Sequence, residues 1–243
     1  MTSIGKEILA KAKKIKLEIN SINEIAQHSS GFLGSSVSLG IIPTISPYFL
    51  PLILPKVRKK FSNLKFKIEE GQSQILLDKV NEGDLDMAIL ALPYDTKDLA
   101  TFKFWEEDFF WVSHTQNKNT IKTEIKASEL ENAELLLLED GHCLKDHILG
   151  ACNFSSLSKY SLKASSLNTI IQLVKGRMGT TLIPKMALKE LIGSKKDLFI
   201  AHLNEPGPHR EIALVTRPDY AGMENMNLLI DFFQQCLKQS NKK

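Results

Sequence analysis

From Val37 to Lys238, short apolar runs alternate with amphipathic segments, and this alternation constrains the fold more than any other feature of the sequence. Short apolar runs between turn signals predict buried strands, and apolar residues spaced three and four apart predict helices that bury one face. Strands that alternate with helices build sheets covered by helices. The pattern therefore predicts an α/β fold.

The first part of the alternation predicts a β-α-β-α-β unit with a parallel sheet. The predicted strands are residues 37–42, 64–69 and 86–92, and the predicted helices run from Ser46 to Lys60 and from Ser73 to near Gly83. Ser46 before Pro47 is a typical N-cap and first-turn pair.

An extended aromatic run at residues 102–113 predicts a crossover into a second lobe that repeats the alternation. There we predict strands at 135–138, 160–164, 180–183 and 198–203, and helices at 143–152 and 167–175. The chain is then predicted to return to the first lobe with a strand at 211–215 and a closing helix at 226–238. The expected fold is two Rossmann-like lobes, periplasmic-binding-protein-like, joined by crossover strands and preceded by a linker helix. Lobe I is predicted to comprise residues 31–110 and 211–240, and lobe II residues 111–210.

The first residues, 1–28, are predicted to be that linker helix. Ile8, Ile15 and Ile22 repeat every seven residues, which is typical of a short coiled-coil seam that pairs with another helix. Packing of the same stripe on the helix's own lobe is the alternative. Ser29-Ser30-Gly31 is predicted to end the helix.

Charge and hydropathy exclude several classes of protein. A formal net charge of +3 over 243 residues does not favour a nucleic-acid groove on this chain, because such surfaces concentrate Lys and Arg. The sequence offers no membrane span and no signal-peptide pattern, so we expect a cytoplasmic protein without membrane contact. Three cysteines in that compartment favour redox or metal chemistry over a structural disulfide framework.

Polar side chains follow three predicted strands of the two lobes. In sheets of this kind, ligands bind beyond the carboxyl ends of the strands, where helix N-termini present free N–H groups. Thr44 follows the first strand, Ser73 the second, and His142 with Cys143 the strand at 135–138. Helix capping alone is the alternative explanation for Thr44 and Ser73.

Cys143 is the strongest candidate for a reactive residue. It lies at the start of a predicted helix, next to His142 and close to Lys145, and such surroundings lower a thiol pKa and favour the thiolate that peroxides oxidise. Glu139 and Asp140 act in the opposite direction. An inert buried cysteine is the alternative.

Cys152 lies nine residues beyond Cys143, at the end of the same predicted helix. At about 1.5 Å rise per residue, the two Cα atoms are roughly 13–14 Å apart, whereas a disulfide needs about 7 Å or less. The thiols can therefore bridge only if the helix unwinds, and Gly150 lowers that cost. Cys236 lies on the apolar face of the last helix and is predicted to be core.

A metal site is a weaker alternative at the same helix. Cys143 and His147 are four residues apart on one helix face, and His142 adjoins them. No second cysteine or carboxylate stands at ligand spacing, so we expect no metal and no cofactor.

Four stretches resemble the OxyR-type hydrogen-peroxide sensors of the LysR family of bacterial transcription regulators. They are residues 40–48 (GIIPTISPY), 138–146 (LEDGHCLKD), 164–167 (ASSL) and 209–215 (HREIALV). The resemblance implies that Cys143 is the peroxidatic cysteine and Cys152 the resolving one. It also implies that Thr44, His142 and Arg210 hold peroxide or stabilise the reduced site.

Three further residues of this sequence stand at positions that belong to the site in that family. Asp146 stands where the family has a polar partner near the thiol. Ser73 replaces the usual threonine, which keeps the hydroxyl and loses the methyl group. Lys145 replaces an arginine, which keeps the charge and loses the bidentate fork.

The resemblance also implies the partners. They are hydrogen peroxide, a second copy of the chain in a homodimer or tetramer, and a glutaredoxin- or thioredoxin-like reductant for resetting. DNA is expected only through an N-terminal winged helix-turn-helix, which this sequence does not contain. The implied role is a non-enzymatic activator of oxidative-stress genes.

Two other functions stay open. One is a LysR-type domain that binds a small metabolite, with the cysteines incidental. The other is a thiol peroxidase, which is disfavoured because the peroxiredoxin pattern Pro-x-x-x-Thr-x-x-Cys does not precede Cys143.

Overall fold

The computed structural model describes residues 1–28, 36–116, 122–154, 163–193 and 196–240. The helices are α1 (Ser3–His28), α2 (Ser46–Lys60), α3 (Ser73–Asn81), α4 (Cys143–Ala151), α5 (Leu167–Lys175), α6 (Leu188–Leu191) and α7 (Met226–Ser240). The strands are β1 (Ser36–Ile41), β2 (Lys65–Glu70), β3 (Met87–Leu92), β4 (Ala100–Glu107), β5 (Phe109–His114), β6 (Glu124–Ile125), β7 (Leu137–Leu138), β8 (Lys163–Ala164), β9 (Thr181–Pro184), β10 (Leu198–Leu203) and β11 (Arg210–Thr216). Short 3₁₀ helices lie at Ala127–Glu129, Lys185–Ala187 and Met223–Asn225.

The strands form two main sheets, which confirms the predicted two-lobe α/β fold. The five-stranded sheet has the order β2-β1-β3-β11-β4, and β1 is parallel to both of its neighbours. The four-stranded sheet has the order β6-β10-β5-β9, and β7 pairs with β8 in a small parallel sheet. In the four-stranded sheet, β5 is antiparallel to β9 and β10, so this lobe is more mixed than the alternation alone indicates.

Two crossovers join the sheets. The extended run predicted at 102–113 is two strands, with β4 in the first sheet, β5 in the second, and Asp108 between them. The chain returns from β10 to β11 across Gly207 and Pro208. The lobe boundaries at residues 110 and 211 stay predictions.

Each sheet has its own apolar core. The first core includes an aromatic cluster in which the rings of Phe49 and Phe233 lie 5.1 Å apart and those of Phe49 and Phe104 lie 5.9 Å apart. The second packs α5 against β5 and β9 through residues such as Ile171 and Leu182. Cys236 is buried in the first core, as predicted.

The linker helix α1 contacts the first lobe through polar groups rather than through its isoleucines. Lys13 pairs with Glu82, Lys16 pairs with Asp84 at 2.5 Å, and Asn20 donates to the carbonyl of Gly83 at 2.9 Å. The heptad residues stay exposed, with Ile8 at 64%, Ile15 at 62% and Ile22 at 65%. The seam therefore does not pack on its own lobe.

Some predictions fall on residues outside the described ranges. They are the helix break at residues 29–31, the start of lobe I, and residues 160–162 of the strand that ends in β8. Within the described residues, no helix is long and apolar enough to span a membrane.

Candidate functional site

Four buried side chains come to the candidate site from four different elements. Thr44 follows β1, Ser73 is the first residue of α3, Cys143 is the first residue of α4, and Arg210 is the first residue of β11. Their exposed fractions are 2%, 1%, 4% and 1%, respectively. Thr44 and Arg210, which are 166 positions apart in sequence, thus lie in the same buried region.

Arg210 is held by a buried carboxylate and by Thr44. Its Nε donates to Glu107 Oε1 at 2.7 Å, and its Nη2 lies 2.6 Å from the same oxygen. Its Nη1 donates to the hydroxyl of Thr44 at 3.2 Å, and its Nη2 to the carbonyl of Thr44 at 3.3 Å. Because both ions are buried, this pair depends on its additional hydrogen bonds.

Glu107 also reaches the second lobe. Its Oε2 accepts a hydrogen bond from the backbone N–H of Met186 at 2.9 Å, just after β9. The same carboxylate thus fixes Arg210 and ties the end of β4 to the second lobe. Arg210 and Glu107 are register partners in the β4–β11 pair.

The Cys143 thiol is controlled mainly by its burial. Burial raises the pKa of Cys143, while the Ser73 hydroxyl, the Arg210 charge and the backbone of Ala91 pull this pKa back down, and Asp146 raises it further. The sequence left open the balance between groups that lower the pKa and groups that raise it. The tertiary structure decides this balance, because the thiol is packed in the first core.

Ser73 has an unused hydrogen-bonding capacity. Its hydroxyl is buried and, among the described residues, has no partner at normal hydrogen-bond geometry, although it lies close enough to Cys143 to lower the thiol pKa. A buried hydroxyl without a partner is costly, so the site favours a small polar guest.

The remaining predicted site residues lie around α4 in different ways. His142 is buried at the N-cap position of α4, without a capping hydrogen bond from its side chain. Lys145 forms an ion pair with Asp140, and it is not among the groups that shift the Cys143 pKa. Asp146 is exposed on the first turn of α4 and acts on the thiol only through its charge.

Cys152 lies at the other end of the same helix. It is the C-cap residue of α4, so the predicted helix ends one residue earlier than expected. It is 5% exposed and packed in the second core, and burial, together with the negative charge of Glu205, raises its pKa to about 12. All three cysteines are free thiols.

His147 lies one turn after Cys143 and was considered from the sequence only as a metal ligand. It is buried, and its Nε2 lies 2.9 Å from the carbonyl oxygen of Pro93, in the loop after β3. Its Nδ1 has no hydrogen-bond partner among the described residues. In the described part of the chain, no group of three or more His, Cys, Asp and Glu side chains is arranged to hold a metal ion.

Sequence reasoning did not identify Glu107. The signal was a carboxylate in the middle of the aromatic run at 102–113, since a carboxylate that is buried among aromatic residues requires a partner. That partner, Arg210, is 103 residues away in the sequence, and only the β4–β11 pairing identifies it.

Comparisons with known proteins are consistent with this geometry. A model of the LysR substrate-binding domain family matches residues 30–238. The chain is 30% identical over 237 residues to the HTH-type transcriptional regulator EstR of Acinetobacter baylyi, covering 97% of this chain and 78% of EstR. It is 33% identical over 219 residues to a probable hydrogen peroxide-inducible genes activator of Mycobacterium avium, covering 89% of this chain and 70% of that protein.

A solved structure resembles the chain along nearly its whole length. A hydrogen-peroxide-bound mutant of OxyR from Corynebacterium glutamicum superimposes with a TM-score of 0.81 at 30% identity, covering 98% of this chain and 76% of the other.

Proposed function

The chain belongs to the LysR substrate-binding domain family, and from this premise we propose that it is the peroxide-sensing regulatory region of an OxyR-type transcription regulator. The observation that carries the proposal is the place of Cys143. Its thiol lies at the start of α4 with Ser73 and Arg210 acting on it, and a second free thiol stands at the other end of the same helix.

The proposed first step is oxidation of Cys143. Its thiolate sulfur attacks one peroxide oxygen, the O–O bond breaks, and hydroxide leaves, giving a sulfenic acid. Ser73, Thr44 and His142 are proposed to orient the peroxide. Arg210 is proposed to stabilise the thiolate and the developing hydroxide, because its charge lowers the pKa of Cys143.

The proposed second step is attack by Cys152 on the sulfenic acid, which releases water and forms the disulfide. Because α4 keeps the two thiols at opposite ends, this step requires the helix to unwind. Loss of α4 as a packed element is the switch, and a thioredoxin- or glutaredoxin-like dithiol is proposed to reset it.

The proposed output is transcriptional. The chain would act as a homodimer or tetramer through the exposed isoleucine stripe of α1, and it would reach DNA through a winged helix-turn-helix outside this sequence. A cytoplasmic location follows from that role. We propose no enzymatic turnover, since each molecule holds one peroxide-reactive thiol and needs an external reductant to reset.

Mass spectrometry after one equivalent of hydrogen peroxide tests this function. We expect a linkage between Cys143 and Cys152, with Cys236 unmodified because burial raises its pKa and neither Ser73 nor Arg210, which act on Cys143, acts on it. Cys236→Ser is the matched control and should form the same linkage, whereas Cys152→Ser should stop at the sulfenic acid. If Cys143 stays unmodified and no Cys143–Cys152 linkage forms, the proposal is wrong.

A second candidate function is reversible binding of a metabolite without thiol chemistry. Burial of Cys143, which raises its pKa, favours this candidate, and so does similarity to a regulator whose name does not mention peroxide. A metabolite that raises the melting temperature equally in the wild type and in Cys143→Ser would support it.

A further inference from the structure

Two buried polar atoms near Cys143 have no hydrogen-bond partner of normal geometry in the described part of the chain. They are the Oγ of Ser73 and the Nδ1 of His147, and each belongs to a side chain that is at least nine-tenths buried. His147 is four residues after Cys143 on α4, a spacing that places both side chains on one helix face. A small molecule that both donates and accepts hydrogen bonds would satisfy both atoms.

The tautomer of His147 is fixed by the loop after β3. A carbonyl oxygen only accepts hydrogen bonds, so the 2.9 Å contact with Pro93 requires the proton on Nε2. Nδ1 then carries a lone pair and acts as an acceptor. This contact joins α4 to the loop after β3 and holds the ring in place.

We propose that the neutral Nδ1 of His147 accepts a hydrogen bond from hydrogen peroxide bound at Cys143, and that acid silences the sensor by protonating this nitrogen. The inference rests on the proposed function. His147 gains no proton in the reaction itself, because it only holds the O–H of peroxide while sulfur attacks and hydroxide leaves. In this role His147 is a substrate-binding residue that gives the sensor a pH limit.

The groups around His147 determine whether its pKa lies above or below the usual value for histidine. Burial lowers the pKa of His147, and the positive charge of Arg210 lowers it further, while the Pro93 carbonyl and Asp146 raise it. The ring is therefore neutral at neutral pH and becomes charged only below its usual range. Burial raises the pKa of Tyr94, the neighbour of Pro93, and the charge of Cys143 raises it further, so Tyr94 does not titrate in this window.

The rate of Cys143 oxidation by hydrogen peroxide between pH 5 and 8 tests the inference. In the wild type, the logarithm of the rate should rise with a slope of about 1 near neutrality, because the thiolate fraction grows tenfold per pH unit. Below the pH at which half of His147 is protonated, the slope should approach about 2. Each further drop in pH then removes both the Cys143 thiolate and the neutral Nδ1 of His147. Rapid quenching with intact-mass detection gives the rates.

Three variants separate the role of His147 from general effects. His147→Gln keeps a donor for Pro93 and a carbonyl acceptor but cannot titrate, so it should keep a slope of about 1 throughout. His147→Leu removes the acceptor and should oxidise about tenfold more slowly at pH 7.5. His142→Gln replaces the other imidazole at the site and should retain the steep acid limb, whatever its rate.

A steep acid limb that persists in His147→Gln would overturn the inference while the proposed function stands, and so would a wild-type rate in folded His147→Leu. Melting temperatures verify that each variant is folded. If wild-type Cys143 is not oxidised at any pH, the proposed function itself fails, and the inference fails with it.

Discussion

At the scale of single residues, burial dominates the chemistry of this site. Burial raises the pKa of Cys143 even though it begins a helix, because the thiol loses more from desolvation than the nearby groups return. Arg210 is the cation that offsets part of this cost, and its buried guanidinium is paired with the carboxylate of Glu107. The reactivity of the thiol thus depends on a carboxylate from another strand.

Removing the Glu107 carboxylate should therefore destabilise the protein strongly. Glu107→Ala leaves the buried guanidinium without its counter-ion and frees the N–H of Met186, and we expect a loss of about 3 kcal/mol in the free energy of unfolding. Urea denaturation measures this loss. Glu106→Ala, at an exposed neighbouring carboxylate, should cost less than about 0.5 kcal/mol. Equal losses in the two variants would argue against the buried pair.

At the scale of elements, α4 is the part of the fold on which the proposed switch depends. Its nine residues hold Cys143 in the first core and leave Cys152 at the C-cap in the second core. Gly150 lies near its end, and a Cβ at this position would meet no atom within 4 Å. The helix thus contains a residue that weakens it and that packing does not require.

Gly150→Ala should strengthen α4 and slow disulfide formation without slowing the first oxidation. Alanine favours the helix by about 1 kcal/mol relative to glycine, which corresponds to roughly fivefold in an equilibrium. Separate rates for the sulfenic acid and the disulfide, from quenched-flow mass spectrometry, check this. Ala151→Gly makes the opposite change and should accelerate the second step. A Gly150→Ala variant with an unchanged second step would show that helix unwinding is not limiting.

At the scale of the whole molecule, the two reactive thiols belong to different hydrophobic cores. A bond between them must draw Cys143 out of the first core, Cys152 out of the second, or both, so a local oxidation changes the packing of two lobes. The exposed stripe of α1 offers a way to transmit such a change to a second copy. Exposed isoleucines on one helix face are costly in water and favour burial against a partner helix.

Disrupting this stripe should weaken self-association. Ile15→Ser removes a central apolar residue that is 62% exposed, and we expect the dimer dissociation constant to rise about tenfold or more in analytical ultracentrifugation. Glu18→Ser, at an exposed polar position of the same helix, should leave association nearly unchanged. If both variants associate like the wild type, α1 does not form the dimer contact.

The sequence by itself determined the α/β alternation, the crossover at 102–113, the helix between the two cysteines and the family motifs, because these features depend on local periodicity and spacing. The thiol was identified on the same basis, as a cysteine at a helix start with a second cysteine at the end of that helix. Only the tertiary structure decided that burial raises the pKa of Cys143, that Glu107 holds Arg210, and that the Nδ1 of His147 has no hydrogen-bond partner among the residues described. Each of these depends on contacts between distant segments, such as the 103 residues that separate Glu107 from Arg210, and local sequence patterns carry no record of such contacts.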